Sequence, residues 1–529
     1  MNSTTLLHEL VLSAAHRTPD ANALTAGTRT LDYAELATLC QGVAGGLASF
    51  GLARGERVAI YLDKRPEFVA TAFGTTAAGG TFVPLNPLLK PEQVGHILRD
   101  CNVRVLVTSA ERLPLLDRTL TRCHDLRQIV VTGELEELPR FEGTTTHRWA
   151  ELLDAPAHPG SRVIDSDMAA ILYTSGSTGR PKGVVLSHRN LVAGAQSVSQ
   201  YLANHANDVL LAALPLSFDA GFSQLTTAFH CGARVVLLNY LLPRDVLKAV
   251  TRERITGLTA VPALWIQLAR LDWPQGTDEH LRYIASTGGR MPFDTLRTLR
   301  AKLPATRPYL MYGLTEAFRA TYLPPEDIDA RPGSIGKAIP NAEVLVLRED
   351  GSECAPHEPG ELVQRGPLVA LGYWNDVEKT AERFRALPAH LSCRCDGLVL
   401  PEIAVFSGDT VRRDEDGYLY FIGRRDEMIK TSGYRVSPTE IEEVLYATRM
   451  VGECVAFGLP DANLGQTIHA VVTPACDTVD VEALLTECRA RVPAYMVPAH
   501  IEVRSGPLPR NANGKIDRKA LAERAGEES

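Results

Sequence analysis

The sequence lacks the long apolar runs and the basic leader that would direct a chain into or across a membrane. No uninterrupted apolar run approaches the roughly 18 residues that a spanning helix needs. The first segment, 1–12, carries Glu9 among its apolar residues, and this pattern predicts an amphipathic helix rather than a signal peptide. We therefore expect no membrane partner.

Basic residues are also scarce relative to acidic ones. The 55 Lys and Arg residues against 63 Asp and Glu residues give a formal net charge of -8. Domains that bind nucleic acid usually carry a basic surface, so we expect no nucleic-acid partner. A metal–nucleotide complex could still be held by a local basic site.

The ten cysteines do not form a metal-binding pattern. Cys393 and Cys395 are the only close pair, and no second pair with ligand spacing lies nearby, which argues against a structural zinc site. Reduced, mostly buried thiols are typical of a cytoplasmic protein, and we expect that location.

The length of 529 residues exceeds what one hydrophobic core serves, and 45% hydrophobic with 22% charged residues is ordinary for a globular chain. Helical patterns alternate with short apolar strands from Leu6 to about Gly160 and again after residue 183. This alternation predicts an α/β fold with parallel strands. The sequence contains no internal repeat and no low-complexity linker.

The pattern changes towards the C-terminus. Short strands with turn signals between about Ala342 and Phe421 predict a small β-rich subdomain, and the last hundred residues predict a small α+β domain. We place the boundary near Asp426, which gives a large N-terminal core domain, 1–425, and a mobile C-terminal domain, 426–529. The segment from about Leu387 to Val405 has no functional interpretation.

The stretch from Tyr173 to Gly183 stands out because it packs glycine, hydroxyls and a lysine between two apolar segments. Glycine allows close backbone approach, hydroxyls donate hydrogen bonds and lysine adds charge, so the loop suits a nucleotide triphosphate. A solvated loop is the alternative, and no Gly-Lys-Ser/Thr ending of a P-loop is present. The candidate phosphate-binding residues are Thr174, Ser175, Gly176, Ser177, Thr178, Gly179 and Lys182.

The whole string resembles the phosphate loop of the adenylate-forming superfamily, which includes acyl-CoA synthetases, luciferases and the adenylation domains of peptide synthetases. The resemblance implies ATP and Mg²⁺ as cofactors. It also implies a reaction in which a carboxylate attacks ATP without a protein nucleophile.

A second motif, Tyr312-Gly-Leu-Thr-Glu316, could be only a turn followed by a helix cap. Its position resembles the superfamily's second core motif. The resemblance implies that Tyr312 and Gly313 bind the adenine, that Thr315 contacts the α-phosphate, and that Glu316 ligates Mg²⁺, a cation that prefers hard oxygen ligands.

A third string runs from Ser407 to Asp426. Aspartate in a turn is commonplace. By resemblance, however, Asp409 accepts both ribose hydroxyls, Arg424 reaches the ribose and phosphates, and Asp426 is the hinge between the domains.

Two lysines complete the predicted catalytic set. Lys430 resembles a residue that faces the site only in the thioester-forming arrangement, and the Ser437-Pro438 start that follows predicts a well-capped helix. Lys515 lies in a basic tail that is normally solvated. The Pro-x-x-x-x-Gly-Lys string from Pro509 nevertheless resembles the family's last motif, so Lys515 is the candidate main catalytic cation, beside Lys182 and Thr315.

The segment around Asp219 resembles the Phe-Asp-Ala string with which amino-acid adenylation domains pair the substrate's amino group. A buried aspartate without such a partner is costly, although Asp is also a preferred helix cap. Met311 would leave room for a short side chain such as that of alanine, while Arg319 could bind a substrate carboxylate or pair with Asp219. The remaining residues predicted to bind the substrate are Ala220, Ser223, Ala260, Ala285, Thr287, Gly288 and Ala320.

No carrier domain or phosphopantetheine serine motif is recognisable in the sequence. The chain resembles free-standing aminoacyl-carrier-protein ligases and acyl-CoA ligases associated with exosortase systems. We expect transfer of a small amino acid to the phosphopantetheine thiol of a separate acyl carrier protein. A CoA ligase for a non-amino carboxylic acid is the first alternative, and a non-catalytic nucleotide-binding scaffold is the second.

Overall fold

The computed structural model describes residues 4–156, 163–174, 181–391, 401–424, 427–431, 434–461, 464–476, 478–511 and 514–528. In chain order, the strands of these residues are β1 Asn22–Ala26, β2 Arg29–Asp32, β3 Arg57–Tyr61, β4 Thr81–Pro84, β5 Val103–Ser109, β6 Gln128–Thr132, β7 Thr145–Arg148, β8 Met168–Thr174, β9 Lys182–Ser187, β10 Val209–Ala212, β11 Arg234–Leu237, β12 Gly257–Ala260, β13 Tyr283–Ser286, β14 Arg307–Tyr312, β15 Thr321–Leu323, β16 Lys337–Ala338, β17 Glu343–Leu347, β18 Gly360–Arg365, β19 Gly372–Tyr373, β20 Phe384–Ala386, β21 Ile403–Arg413, β22 Leu419–Arg424, β23 Ile429–Thr431, β24 Tyr434–Val436, β25 Val451–Asp461, β26 Gly465–Pro474 and β27 His500–Val503.

The helices lie mostly between these strands. They are α1 Glu9–Arg17, α2 Tyr33–Ser49, α3 Pro66–Ala77, α4 Pro91–Asp100, α5 Asp117–Leu120, α6 Trp149–Leu153, α7 His188–Tyr201, α8 Asp219–Cys231, α9 Pro243–Arg252, α10 Pro262–Arg270, α11 Thr277–His280, α12 Phe293–Lys302, α13 Val377–Arg383, α14 Pro438–Ala447, α15 Val481–Arg491 and α16 Arg518–Glu528.

Local sequence signals explain where the elements begin. Helix α2, for example, starts at a capping box: Glu35 N donates to Asp32 Oδ1 at 2.7 Å, and Asp32 N donates to Glu35 Oε2 at 3.0 Å. Strand β3 is buried along almost its whole length, as expected for a parallel strand covered on both faces.

Two large sheets form the N-terminal core. Their strand orders are β2-β1-β11-β10-β12-β13-β14-β15-β16 and β7-β6-β5-β3-β4-β8-β9-β19. The central pairs are parallel, and the edge strands β2, β15, β16, β9 and β19 pair antiparallel. In an open parallel sheet, ligands bind beyond the carboxyl ends of the strands.

Helices pack between the two sheets in a continuous apolar core. Phe73 of α3 and Phe222 of α8 lie with ring centroids 5.9 Å apart, and Phe82 of β4 lies 4.8 Å from Phe222. The same cluster takes in buried residues of both sheets, including Leu24 and Val58. This packing fixes the two sheets relative to each other and therefore fixes their carboxyl ends.

Two smaller antiparallel units follow. Strands β17-β18-β21-β20, with β22 on β21, form the predicted β-rich subdomain. Strands β24-β23-β26-β25, with β27 parallel to β26, form the C-terminal sheet, on which α14 and α15 pack around Leu445 and Leu484. The predicted α/β class with a large and a small domain is confirmed.

Several predicted details differ from the structure or lie outside it. The first helix begins at Glu9, and the buried hydroxyl of Ser437 makes no capping hydrogen bond, although α14 does begin just after it at Pro438. The predicted boundary at Asp426, the pair Cys393 and Cys395, and most of the Leu387–Val405 segment lie outside the described residues.

The remaining cysteines have the expected state. The eight that the structure describes carry free thiols, and six of these are buried. Within the same part of the chain, none of the helices combines the length and the apolar content that a membrane crossing requires.

Candidate active site

A cavity of about 1710 Å³ opens between the N-terminal sheets and the C-terminal domain. Fourteen of the residues that the sequence predicts for the site line this cavity. They are Thr174, Lys182, Asp219, Thr287, Gly288, Met311, Tyr312, Gly313, Thr315, Glu316, Arg319, Asp409, Arg424 and Lys515.

Two of the predicted phosphate-binding residues lie at the ends of the two strands of a β-hairpin. Strands β8 and β9 pair antiparallel up to Thr174 and Lys182, which face each other across the ladder. The ammonium of Lys182 lies 5.5 Å from the centroid of the Tyr373 ring. The loop residues Ser175, Gly176, Ser177, Thr178 and Gly179 lie outside the described residues, so their role stays a prediction.

Glu316 interacts with the same tyrosine as Lys182. The hydroxyl of Tyr373 donates to Glu316 Oε1 at 2.6 Å, and Glu316 belongs to a short 3-10 helix, Thr315–Ala317. Across the described ranges, no group of three His, Cys, Asp or Glu residues could hold a metal ion. A single carboxylate nevertheless fits Mg²⁺, because this ion commonly takes one or two protein carboxylates together with phosphates and water.

Asp409 and Tyr312 form the predicted ribose end. Asp409 on β21 pairs with Arg424 on β22, and the Arg424 Nε lies 3.3 Å from Asp409 Oδ1. The hydroxyl of Tyr312 donates to Asp409 Oδ2, while burial raises the pKa of Asp409 and the positive charge of Arg424 opposes that rise. Asp409 Oδ1 is buried and accepts no hydrogen bond within the described chain. This fits an atom that accepts hydrogen bonds from the ribose hydroxyls when the nucleotide binds.

Lys515 reaches the centre of the cavity from the C-terminal domain. Its Cε would lie 3.3 Å from a Cβ placed at Gly288, a residue with φ +79° that also leaves little room beside Val261. The lysine side chain is accessible in the cavity but surrounded by protein, and this burial lowers the pKa of its ammonium group. The negative charge of Asp219 opposes that shift, and the positive charge of Arg424 adds to it.

Asp219 is the first residue of α8 and is buried at 4% exposure. Its Oδ1 accepts from the backbone N–H of Ala220 at 2.6 Å, and its Oδ2 accepts from the Thr315 hydroxyl at 3.3 Å. Burial raises the pKa of Asp219, and the positive charge of Arg319 is the largest opposing influence. The carboxylate therefore already has hydrogen-bond donors, contrary to the sequence argument that it would lack a partner.

Arg319 and Met311 separate the large cavity from a small one. Both residues line the 1710 Å³ cavity and also a cavity of about 20 Å³ behind it. Arg319 is 3% exposed, and Met311 is 6% exposed and accepts a hydrogen bond from Tyr201 Oη at its Sδ, 3.0 Å away. These two side chains are the lining residues that the two cavities share.

Five of the residues predicted to bind the acid do not line the large cavity. Ala220 and Ser223 line only the small cavity, while the fully buried Ala260, Ala285 and Ala320 line neither. The strand register gives a reason for Ala285: it pairs with Tyr309, two residues before Met311, and so lies further from the carboxyl end of its sheet.

Other cavity-lining residues are not predicted by the sequence motifs. Ser217 and Ser286 line the cavity with buried hydroxyls that have no partner in the described chain, and Arg383 donates from Nη1 to the Phe406 carbonyl at 3.3 Å, close to Asp409. Ser286 ends β13, and polar residues at the carboxyl ends of parallel strands are a usable signal. Tyr373 and Arg383 carry no such signal because they come from distant elements.

Two further predicted residues lie partly or wholly outside the described residues. The backbone of Lys430 lies in β23, but its side chain is outside the description, as is the whole of Asp426. Their thioester-forming and hinge roles stay predictions.

The chain matches the AMP-binding enzyme family over residues 11–374 and the AMP-binding enzyme C-terminal domain over residues 440–515. It belongs to this family. The fold and the similarity to known relatives define its class as the AMP-forming acid–CoA ligases, which use ATP and Mg²⁺.

The chain is similar to relatives of more than one kind. A feruloyl-CoA synthase of Amycolatopsis sp is 32% identical, with 97% of both chains covered, and a long-chain-fatty-acid–CoA ligase of Bacillus subtilis is 29% identical, with 98% of this chain and 94% of that one covered. Tyrocidine synthase 3 of Brevibacillus parabrevis is 30% identical over 97% of this chain, which corresponds to 8% of that protein.

Solved structures share the whole architecture. The anthranilate CoA ligase AuaEII in complex with anthranoyl-AMP superposes with a TM-score of 0.87 at 26% identity, covering 99% of this chain and 98% of that chain. The o-succinylbenzoate CoA synthetase of Bacillus subtilis, in complex with ATP and magnesium, gives a TM-score of 0.80 at 26% identity, covering 97% and 99%.

Proposed function

We propose that this protein is an AMP-forming CoA ligase that activates a compact carboxylic acid. The observation that carries the proposal is that Lys515, Thr315 and Glu316 line a single cavity. Arg319 and Met311 line it too, and they also border the small cavity behind it. The similarity to several CoA ligases supports the same conclusion.

In the first half-reaction, a carboxylate oxygen of the acid attacks the α-phosphorus of ATP, and the bond to pyrophosphate breaks. Two anions must approach each other, so fixed positive charge is the main catalytic requirement. Lys515 supplies that charge from the wall of the cavity that Thr315 also lines. Burial lowers the pKa of its ammonium group, and the negative charge of Asp219 opposes that shift. Lys182 orients the leaving pyrophosphate.

The nucleoside is held at the opposite end of the cavity. Tyr312 orients Asp409 through a hydrogen bond, and Asp409 Oδ1, which accepts no hydrogen bond but lies 3.3 Å from Arg424 Nε, receives the ribose hydroxyls. Glu316, held by Tyr373, would ligate Mg²⁺. That ion supplies further neutralisation of phosphate charge.

The depth of the pocket favours a short or compact acid. Met311 and Arg319 close its floor, and the cavity behind them, about 20 Å³, is no larger than a site for a water molecule. A long acyl chain would require both side chains to move. The fatty-acid substrates named for some relatives are therefore not part of the proposal.

The acceptor in the second half-reaction is the thiol of CoA. Its sulfur attacks the acyl carbon of the mixed anhydride, the thioester bond forms, and AMP leaves. Lys430 and a rotation about Asp426 are predicted to serve this step.

Acid-dependent exchange of labelled pyrophosphate into ATP, followed by chromatography of CoA thioesters, tests the proposal. We expect exchange with compact carboxylic acids that lack an amino group, and thioester formation when free CoA is added. Exchange with amino acids alone, or a thioester formed only on a carrier protein, would contradict it.

The second candidate is activation of a small amino acid and its transfer to a separate acyl carrier protein. Asp219 is the observation that favours it, because a buried carboxylate close to the reacting end could pair with an ammonium group. We rank it second because Asp219 already accepts hydrogen bonds from Ala220 and Thr315. Pyrophosphate exchange across amino acids and plain acids separates the two candidates.

A further inference from the structure

Arg319 is a buried cation without a matching carboxylate. At 3% exposure, it makes no ion pair within the described chain, and its Nη1 donates to the neighbouring carbonyl of Phe318 at 3.2 Å. Its buried Nε has no hydrogen-bond partner among the described residues. The hydroxyl of Tyr201 interacts with the guanidinium both electrostatically and through a side-chain hydrogen bond, but it is neutral and supplies no balancing charge.

The carboxylate of Asp219 interacts electrostatically with Arg319 but forms no salt bridge with it among the described residues. Asp219 feels the charge of Arg319, yet its two oxygens accept from Ala220 and Thr315. An unpaired buried guanidinium is costly, and a site that keeps one usually has a use for it. The open donors of Arg319 border the cavity that receives the acid.

The backbone around Arg319 is held in a strained turn. Phe318 has φ +56°, a left-handed conformation that a bulky residue rarely adopts, and its ring packs against Gly194 of α7. The buried Gln364 donates from Nε2 to the Arg319 carbonyl at 2.7 Å. Strain of this kind persists only where the surroundings fix it, and it clusters at ligand-binding positions. The guanidinium is thereby presented at the floor of the pocket.

We propose that Arg319 binds an oxygen acceptor that the acid carries away from its reacting carboxylate. The favoured substrates are oxo acids, hydroxy acids or dicarboxylic acids of compact size rather than plain hydrocarbon acids. Arginine donors form strong, directional bonds with such oxygens, whereas a methyl group in the same place leaves the donors unpaired. This inference rests on the proposed ligase function and names its substrate class.

Matched acids test the preference in the wild-type enzyme. Pyrophosphate exchange is measured with levulinate against valerate, and with β-hydroxybutyrate and succinate against butyrate. We expect kcat/KM to be about 10- to 100-fold higher for the oxygenated member of at least one pair, because a polar site rejects an analogue that lacks the bonded group. Equal or better use of the plain acids overturns the inference and leaves the ligase function intact, whereas exchange with no acid at all contradicts the ligase function itself.

Substitution of Arg319 distinguishes a role in substrate recognition from a purely structural role. Arg319→Leu should reduce the preference to about one, because kcat/KM for the oxygenated acid falls more than kcat/KM for its plain partner when the oxygen contact is lost. Arg300→Leu, on the exposed side of α12 where Arg300 pairs with Asp329 at 2.6 Å, is the matched control and should change neither value. An equal loss for both members of a pair, with an unchanged melting temperature, would mean that Arg319 is only structural.

A conservative variant covers the case in which the leucine variant does not fold. Arg319→Lys keeps the charge but loses the Nε donor and the planar fork. We expect it to fold and to retain only part of the preference for the oxygenated acids. An unchanged preference would contradict a direct guanidinium contact.

Discussion

Replacement of Lys515 by alanine should selectively disable adenylation. The ammonium stands in the cavity with its Cε 3.3 Å from the Cβ position of Gly288, and its charge acts on both Asp219 and Asp409. A unit charge about 4 Å from the reacting group contributes about 4 kcal/mol at an effective dielectric constant of about 20. That energy corresponds to about a 1000-fold slower first half-reaction.

The assay measures each half-reaction separately. Pyrophosphate exchange reports adenylation, and CoA thioester formation from a supplied acyl-adenylate reports the second step. Lys515→Ala should lose the first activity and keep most of the second. Lys379→Ala, which removes an exposed ion pair with Glu382 on the surface, is the matched control and should leave both unchanged.

The pH dependence gives an independent check on the same residue. Because burial lowers the pKa of Lys515, its ammonium loses its proton at a lower pH than an ordinary lysine does. The rate of adenylation should therefore decline at a lower alkaline pH than the pKa of an ordinary lysine would predict. Lys515→Arg should move that decline to higher pH. Undiminished exchange in the alanine variant would refute the assignment of Lys515.

Three further predictions follow from single contacts. Tyr312→Phe removes a donor to the buried Asp409, so KM for ATP should rise about 10-fold in steady-state assays; an unchanged KM would argue against the ribose assignment. Arg290→Ala removes an ion pair with Glu443 between the two domains, and because both side chains are partly exposed, pyrophosphate exchange should slow only about 2- to 5-fold; a larger loss would mean that Arg290 touches substrate. Trp265→Ala empties a fully buried site and should lower the free energy of unfolding by about 3–5 kcal/mol, measured by urea denaturation; a change below about 1 kcal/mol would contradict the close packing of this side chain.

The fold was largely predictable because its signals are local. Helix α4, Pro91–Asp100, and strand β3, Arg57–Tyr61, belong to the alternation of helices and strands that the sequence predicts between Leu6 and about Gly160. In both cases, apolar periodicity and a proline or glycine boundary act within a few residues. Such signals specify element type and position without knowledge of the partners.

The acid pocket was less predictable because its depth depends on distant side chains. Arg319 lines the large cavity, but no local pattern indicates that Arg319 and Met311 lie between this cavity and Ser223. The environment of Asp219 was misjudged for the same reason. Its donor Thr315 lies 96 residues away and meets it only in the folded chain.

The central claim is that this protein joins a compact acid to AMP and then to CoA. The most direct measurement gives purified protein ATP, Mg²⁺, CoA and a panel of acids, and quantifies AMP and CoA thioester together. We predict that both products form in equal amounts with at least one compact acid. If neither AMP nor pyrophosphate appeared with any acid, this claim would be contradicted.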